Sequence, residues 1–195
     1  MTEELDLDHL RQWIGRTQEA TDIVTTQLVK GLRATLFQEV GEPRIGDAAP
    51  FTVHWCLAQP VFPMSMLGAD GHPTRGGFLP PVPLPRRMWA GGEIEFRDAL
   101  RVGDESTRTS RISDVTVKIG STGQLCFVSV EHTVTSSRGV AIRERQDIVY
   151  REMTVCARKS RVASARRTAS RDTCLRLRAA VPLFGADFQR PPNPL

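Results

Sequence analysis

The apolar spacing of this chain changes period once, and that change constrains the fold more than any other feature. Leu7, Leu10, Trp13 and Ile14 recur at helical intervals, as do Val24, Leu28, Leu32 and Leu36, with Ile23 beside them. From Met88 onward, apolar and polar residues alternate. Ile94 and Phe96 alternate with Glu93 and Glu95, and Val115, Val117 and Ile119 with Thr116 and Lys118. Cys126, Val128, Val130 and Val134 then share one face, and Val140, Ile142, Ile148 and Tyr150 mark a last strand. A period near 3.6 marks one face of a helix, and a period of two marks one face of a strand. The spacing predicts helices first and an antiparallel meander after them, an α+β fold in which one sheet wraps a helix.

Local signals divide the chain further. A short amphipathic helix is expected at the start, with Asp6 or Asp8 placed to cap it and Gly15 to end it. A longer helix is expected over residues 21–38. Gly31 would cost that helix up to about 1 kcal/mol relative to Ala, so a close approach to a packed sheet is expected there. Gly41, Pro43, Gly46 and Pro50 break the chain. Residues 51–57 read as a short strand. Residues 59–85 read as a Pro- and Gly-rich loop, and a loop that long inside a compact domain is usually a binding element. Residues 120–123 and 136–139 read as hairpin turns.

Charge and cysteine usage exclude several classes. The net charge is +4, but nine Arg and one Lys against three acids give residues 151–195 a charge of +7 and leave −3 for residues 1–150. A nucleic-acid role would therefore rest on the tail alone. Cys56, Cys126, Cys156 and Cys174 fit no metal or redox spacing, and Cys56 and Cys126 read as small apolar residues in strands. No metal site and no cofactor are expected. No apolar run reaches membrane-spanning length, and the acidic start lacks a signal-peptide pattern. A cytoplasmic location is expected.

The string from Gly76 to Phe96, GGFLPPVPLPRRMWAGGEIEF, carries a specific resemblance. So do Trp13-Ile-Gly15, His54-Trp55, the run from Gly68 to Pro73, Val102-Gly-Asp104 and the run from Gln146 to Arg151. Together these resemble the family of mesaconyl-C4-CoA and itaconyl-CoA hydratases and type-2 hydroxyacyl-thioester dehydratases, whose N-terminal half is a FAS1-like dehydratase domain related to MaoC proteins. The resemblance implies a hot-dog fold, a long helix wrapped by a curved antiparallel sheet, as a single half of a double hot-dog. It implies domain bounds of 1–151, followed by an irregular basic tail over 152–195. It also implies a CoA or other acyl thioester as substrate, hydrated or dehydrated across an α,β-unsaturated bond. The partner is expected to be a second copy or a separate MaoC-like catalytic protein, for which this chain would be a non-catalytic acyl-CoA-binding subunit.

His54, Trp55, Arg86, Arg87 and Trp89 are the candidate substrate-binding residues. Arg86 and Arg87 are suited to phosphate groups through charge-assisted bonds, though solvation explains them equally well. Trp55 and Trp89 are more often core residues than ligand platforms, and His54, with no partner in the sequence, reads as structural rather than catalytic. His72 reads as a turn residue. Asp98, Asp104 and Asp114 fall where carboxylates satisfy backbone donors. Pro80, Pro81, Pro83 and Pro85 lack the Pro-x-x-Pro-x-Arg register of a polyproline ligand. A hot-dog thioesterase would want an acid on the helix over 21–38, and none is well placed.

No catalytic residue is assigned. The resemblance places the proton-transfer histidines in a second half, in a string like RYSALTFNxHRIHYD. Read one nucleotide forward, the codons from Pro182 to Leu195 permit that string in order. The tail is therefore expected to be translated out of frame, with Pro191 and Pro194 at the histidine positions. Prolines exchange no protons, so the chain alone is expected to be inactive or nearly so.

Overall fold

Residues 17–23 form an edge strand rather than the start of a helix. The computed structural model of the chain describes residues 5–68, 71–120 and 123–152. The expectations for the tail beyond residue 152 lie outside them. A first helix, α1 (Leu7–Arg11), is capped by Asp6, whose side chain accepts from the His9 N–H at 2.9 Å. Gly15 then takes a left-handed turn, φ 86°. β1 (Thr17–Ile23) pairs with β3 (Glu105–Gly120), from Thr17 opposite Arg111 to Ile23 opposite Glu105. The helical spacing of residues 21–23 is thus overridden by strand pairing, which suits Thr21 and Ile23 as β-branched residues.

The second helix, α2 (Thr26–Thr35), is shorter than the spacing suggested. The Thr25 hydroxyl caps it by accepting from Leu28 N–H at 3.1 Å. Val29 is fully buried, and Leu28 and Leu32 pack beside it, while Leu36 is exposed. Gly31 faces open space, with no atom within 4 Å of where a Cβ would lie, so no sheet approaches it. The expected strand at 51–57 is a short 3-10 turn, Val53–Cys56. Left-handed Thr52 and Ala58 bracket it, and the chain cannot run straight through such residues. Cys56 is exposed there. Cys126 is buried in a strand, and burial pushes its thiol up to about 11.

β2 (Arg86–Phe96), β4 (Gly123–Ser136) and β5 (Gly139–Arg151) complete an antiparallel sheet of order β1-β3-β4-β5-β2. Gly120 pairs with Gly123 and Ser136 with Gly139, at the two expected hairpins. Asp98 and Asp104 both bind the Arg138 guanidinium, at 2.7 and 2.8 Å, which fastens the second hairpin to the start of β3.

One sheet face carries two separate cores. The first gathers Ile112, Val115, Cys126, Val128, Val130 and Tyr150 under α1 and the Pro-rich segment, from which Val82 and Leu84 point inward. The second gathers Val134, Ala141 and Ile142 with Val24, Val29 and Val53. Between them the inward positions of three neighbouring strands are polar: Ser110 on β3, His132 on β4, and Glu144 and Gln146 on β5. Ser110 is directly opposite His132, and His132 is opposite Glu144. No helix among the described residues is long and apolar enough to cross a membrane.

Candidate functional site

A break between two apolar cores leaves space, and here it leaves a cavity of about 1120 Å³. Ligand pockets commonly run to roughly 300–1,000 Å³, so this one is large enough to take a small molecule. The polar row is the floor. β1 supplies one wall through Ala20 and Thr21, and the long loop supplies the roof through Phe62, Met66, Phe78 and Leu79. The Pro-rich loop is thus a wall of the cavity, as its length suggested.

Arginines hold that roof in place. Arg75 donates to the carbonyls of Val82 (2.6 Å), Leu84 and Pro85 (2.9 Å), and lies over the Tyr150 ring. Arg16 donates to Gly77 O at 2.6 Å and Arg108 to Ala58 O at 2.9 Å. Hydrogen bonds from a charged donor are worth about 1.5–3 kcal/mol each, less where water competes. Arg75→Ala is therefore expected to lower stability by about 2 kcal/mol. Limited proteolysis of the variant should cut first within residues 59–85, and a melting curve would read the loss of stability.

Glu144 is the hub of the floor. Its Oε1 accepts from Trp55 Nε1 at 2.9 Å and from Gln146 Nε2 at 2.8 Å. His54 Nε2 stands 3.3 Å from Oε2, an ion-pair distance without hydrogen-bond alignment. Burial raises the carboxyl, but His54, Gln146 and Trp55 outweigh it and hold Glu144 below its ordinary value. The charge stays on, and Oε1 already accepts two hydrogen bonds.

His132 behaves oppositely. Burial depresses the imidazole below its ordinary value, Glu144 opposes that, and Arg108 adds to it. Its Nδ1 lies 2.8 Å from Ser110 Oγ. The Gln146 amide, beside the ring, favours the protonated form.

The five expected binding residues divide. Trp55 and Arg87 line the cavity. His54 is buried behind Glu144, and so has the partner its sequence context did not reveal. Arg87 sits beside the Tyr150 hydroxyl. Arg86 and Trp89 lie on β2 away from the cavity, with Trp89 60% exposed. His72, read as a turn residue, also lines the cavity. Sequence reading missed Ser110, His132, Glu144 and Gln146. For three of them the signal was present: His132 interrupts Val130 and Val134, and Glu144 and Gln146 interrupt Ile142 and Ile148, while Ser110 follows Ser106 and Arg108 on its face and breaks no apolar run.

Residues 52–180 match the family described as hydroxyacyl-thioester dehydratase type 2. The chain is 42% identical over 140 residues to the mesaconyl-C(4)-CoA hydratase of Chloroflexus aurantiacus. That match takes in 72% of this chain and 50% of the relative, so the chain spans about half the length of the curated protein it matches. Among solved structures, the ChsH1-ChsH2 complex of Mycobacterium tuberculosis superposes with a TM-score of 0.52 at 13% identity, over 74% of this chain and 95% of that one. A MaoC-like dehydratase from Phytophthora capsici gives 0.48 at 14%, over 77% and 50%. The five-stranded antiparallel sheet with its short helices is one hot-dog fold. The matched stretch includes the roof, the floor and all of β2 to β5, and the chain belongs to the hydroxyacyl-thioester dehydratase type 2 family.

Proposed function

We propose that this hot-dog unit holds the acyl group of an α,β-unsaturated or 3-hydroxyacyl thioester in the cavity, as one half of a hydratase/dehydratase. The observation that carries it is the polar gap between two apolar cores, roofed by the segment that most resembles the family. Adding water across an enoyl thioester needs a base for the water, an acid for the α-carbon and donors for the thioester oxygen. Glu144 is a poor base here, because its carboxyl is held below its ordinary value and Oε1 already accepts two hydrogen bonds. In this reading proton transfer draws on a second hot-dog unit, in the same or another polypeptide. Apolar Phe62, Phe78, Leu79 and Ile148 would sheathe the acyl chain, and Arg87 would lie toward the phosphate-bearing arm.

A separate catalytic partner is the second reading, and the β2 edge favours it. β2 is the last strand of the sheet, and it presents Met88 and Trp89 at 43% and 60% exposure. An open strand edge with large apolar side chains invites pairing. Arg86 and Trp89 would then serve the interface rather than the cavity.

Crotonyl-, mesaconyl- and itaconyl-CoA assays test the division of labour. The chain alone should bind at least one of them saturably and hydrate none. Rapid turnover by the isolated chain would contradict it, and so would the absence of binding.

A further inference from the structure

The floor holds one polar pair that acyl binding does not require. We propose that Ser110 and His132 form an acyl-transfer centre, with Ser110 Oγ as a nucleophile toward thioesters and other activated acyl compounds. The activity is distinct from hydration. It rests on the proposed thioester binding only for its natural substrate.

Geometry comes first. The two residues are directly opposed on neighbouring central strands, and Oγ lies 2.8 Å from Nδ1. Both line the cavity rather than the core. Mid-strand positions fix both backbones, so the pair is held rigidly, as a nucleophile and its base require.

The proton direction follows from the partners. Gln146 Nε2 donates to the Glu144 carboxylate, which can only accept. That leaves the Gln146 oxygen to accept from the His132 ring, in keeping with the sense of their interaction. Nδ1 faces Ser110 Oγ, so in the tautomer that carries its N–H at Nε2 the bare Nδ1 takes the Ser110 hydroxyl proton. The order Ser110, His132, Gln146, Glu144 reproduces the logic of a nucleophile, a base and a group that orients the base. Trp55 and His54 fix the far end by holding Glu144. Arg108 lies two residues before Ser110 and also lines the cavity. Burial keeps His132 in the neutral form that a base needs.

The chemistry balances without a further reactant. Ser110 Oγ forms a bond to the acyl carbon as its proton passes to His132 Nδ1. The C–S bond breaks, the sulfur takes that proton, and a free thiol leaves an acyl-serine ester. Water then attacks the ester, giving one proton to His132. The C–Oγ bond breaks, Oγ recovers that proton, and a carboxylic acid departs.

A fluorophosphonate probe tests this on the full chain without any thioester. Attack displaces fluoride, and the adduct is read by intact and peptide mass spectrometry. The expected result is one adduct per chain, mapped to Ser110, absent in Ser110→Ala and formed at least ten-fold more slowly in His132→Gln. Melting curves and crotonyl-CoA titration of both variants separate lost chemistry from lost fold. Should either variant fail to fold, mapping on the wild-type chain still decides. No adduct, an adduct elsewhere, or an unchanged rate in folded His132→Gln overturns the proposal. Labelling at Ser110 without binding of crotonyl-, mesaconyl- or itaconyl-CoA would sink the acyl-binding reading and leave this centre standing; binding without labelling does the reverse.

Discussion

Glu144→Ala is expected to lower the stability of the chain by about 3 kcal/mol, the cost of breaking one side of a buried pair. Three groups lose their acceptor or partner at once: Trp55 Nε1, Gln146 Nε2 and His54. None can turn fully to water without opening the floor. For a domain of this size the melting temperature should fall by roughly 6–12 °C. Glu144→Gln keeps one acceptor oxygen and should lose about half as much. Differential scanning calorimetry checks both, and a melting temperature unchanged in Glu144→Ala would show that the hub is not formed.

The same carboxylate gives the chain an acid limb. Its folded pKa is lowered below the ordinary 4.5, so the unfolded chain takes up a proton first as pH falls. The stability it contributes is complete above about pH 4.5 and is lost as pH drops through the lower folded value. His132 adds in the same direction at higher pH. Its folded pKa is depressed below the ordinary 6.5, so the unfolded chain again binds the extra proton. Wild-type stability should begin to fall below about pH 6.5 and steepen below about 4.5. In Glu144→Ala the second phase should flatten.

Gly92→Ala should disrupt the seam between β2 and β5. Gly92 faces Gln146 in the register, and an added Cβ would lie 2.3 Å from the Arg145 carbonyl oxygen. That obstacle is backbone and cannot rotate away. The neighbouring bulge between Trp89 and Gly91 is where a shift would propagate. Overpacking costs typically 1–3 kcal/mol, and a backbone clash belongs at the top of that range. Gly91→Ala meets nothing within 4 Å and is the natural control. Melting temperatures of the two variants should differ by several degrees; equal values would contradict the close approach.

These two residues show what the sequence revealed and what it hid. Gly91 and Gly92 look alike in the string, and only the β2–β5 register separates them. The strands β2 to β5 were legible because side-chain alternation depends on nothing beyond the next residue. β1 was not legible. Thr17–Ile23 has an exposed edge-strand pattern, and its pairing with β3 lies more than eighty residues away in sequence. The roof was legible as a long loop, while the arginines that hold it bind backbone carbonyls that no motif marks. The floor was half legible. Ser110, His132 and Glu144 each occupy an inward slot, but their meeting depends on the register of three strands. His54 looked isolated for the same reason, with its partner ninety positions away.

The central claim is that the gap between the two cores is where an acyl thioester sits. Ala20 lines that gap from the edge strand β1 and belongs to neither core, so a Trp there would obstruct the space from its wall. Titration by calorimetry of whichever of crotonyl-, mesaconyl- and itaconyl-CoA binds should give one site per wild-type chain. In Ala20→Trp affinity should drop at least ten-fold, with the melting temperature kept within a few degrees. Equal affinity in the two proteins would place the ligand elsewhere and contradict the claim.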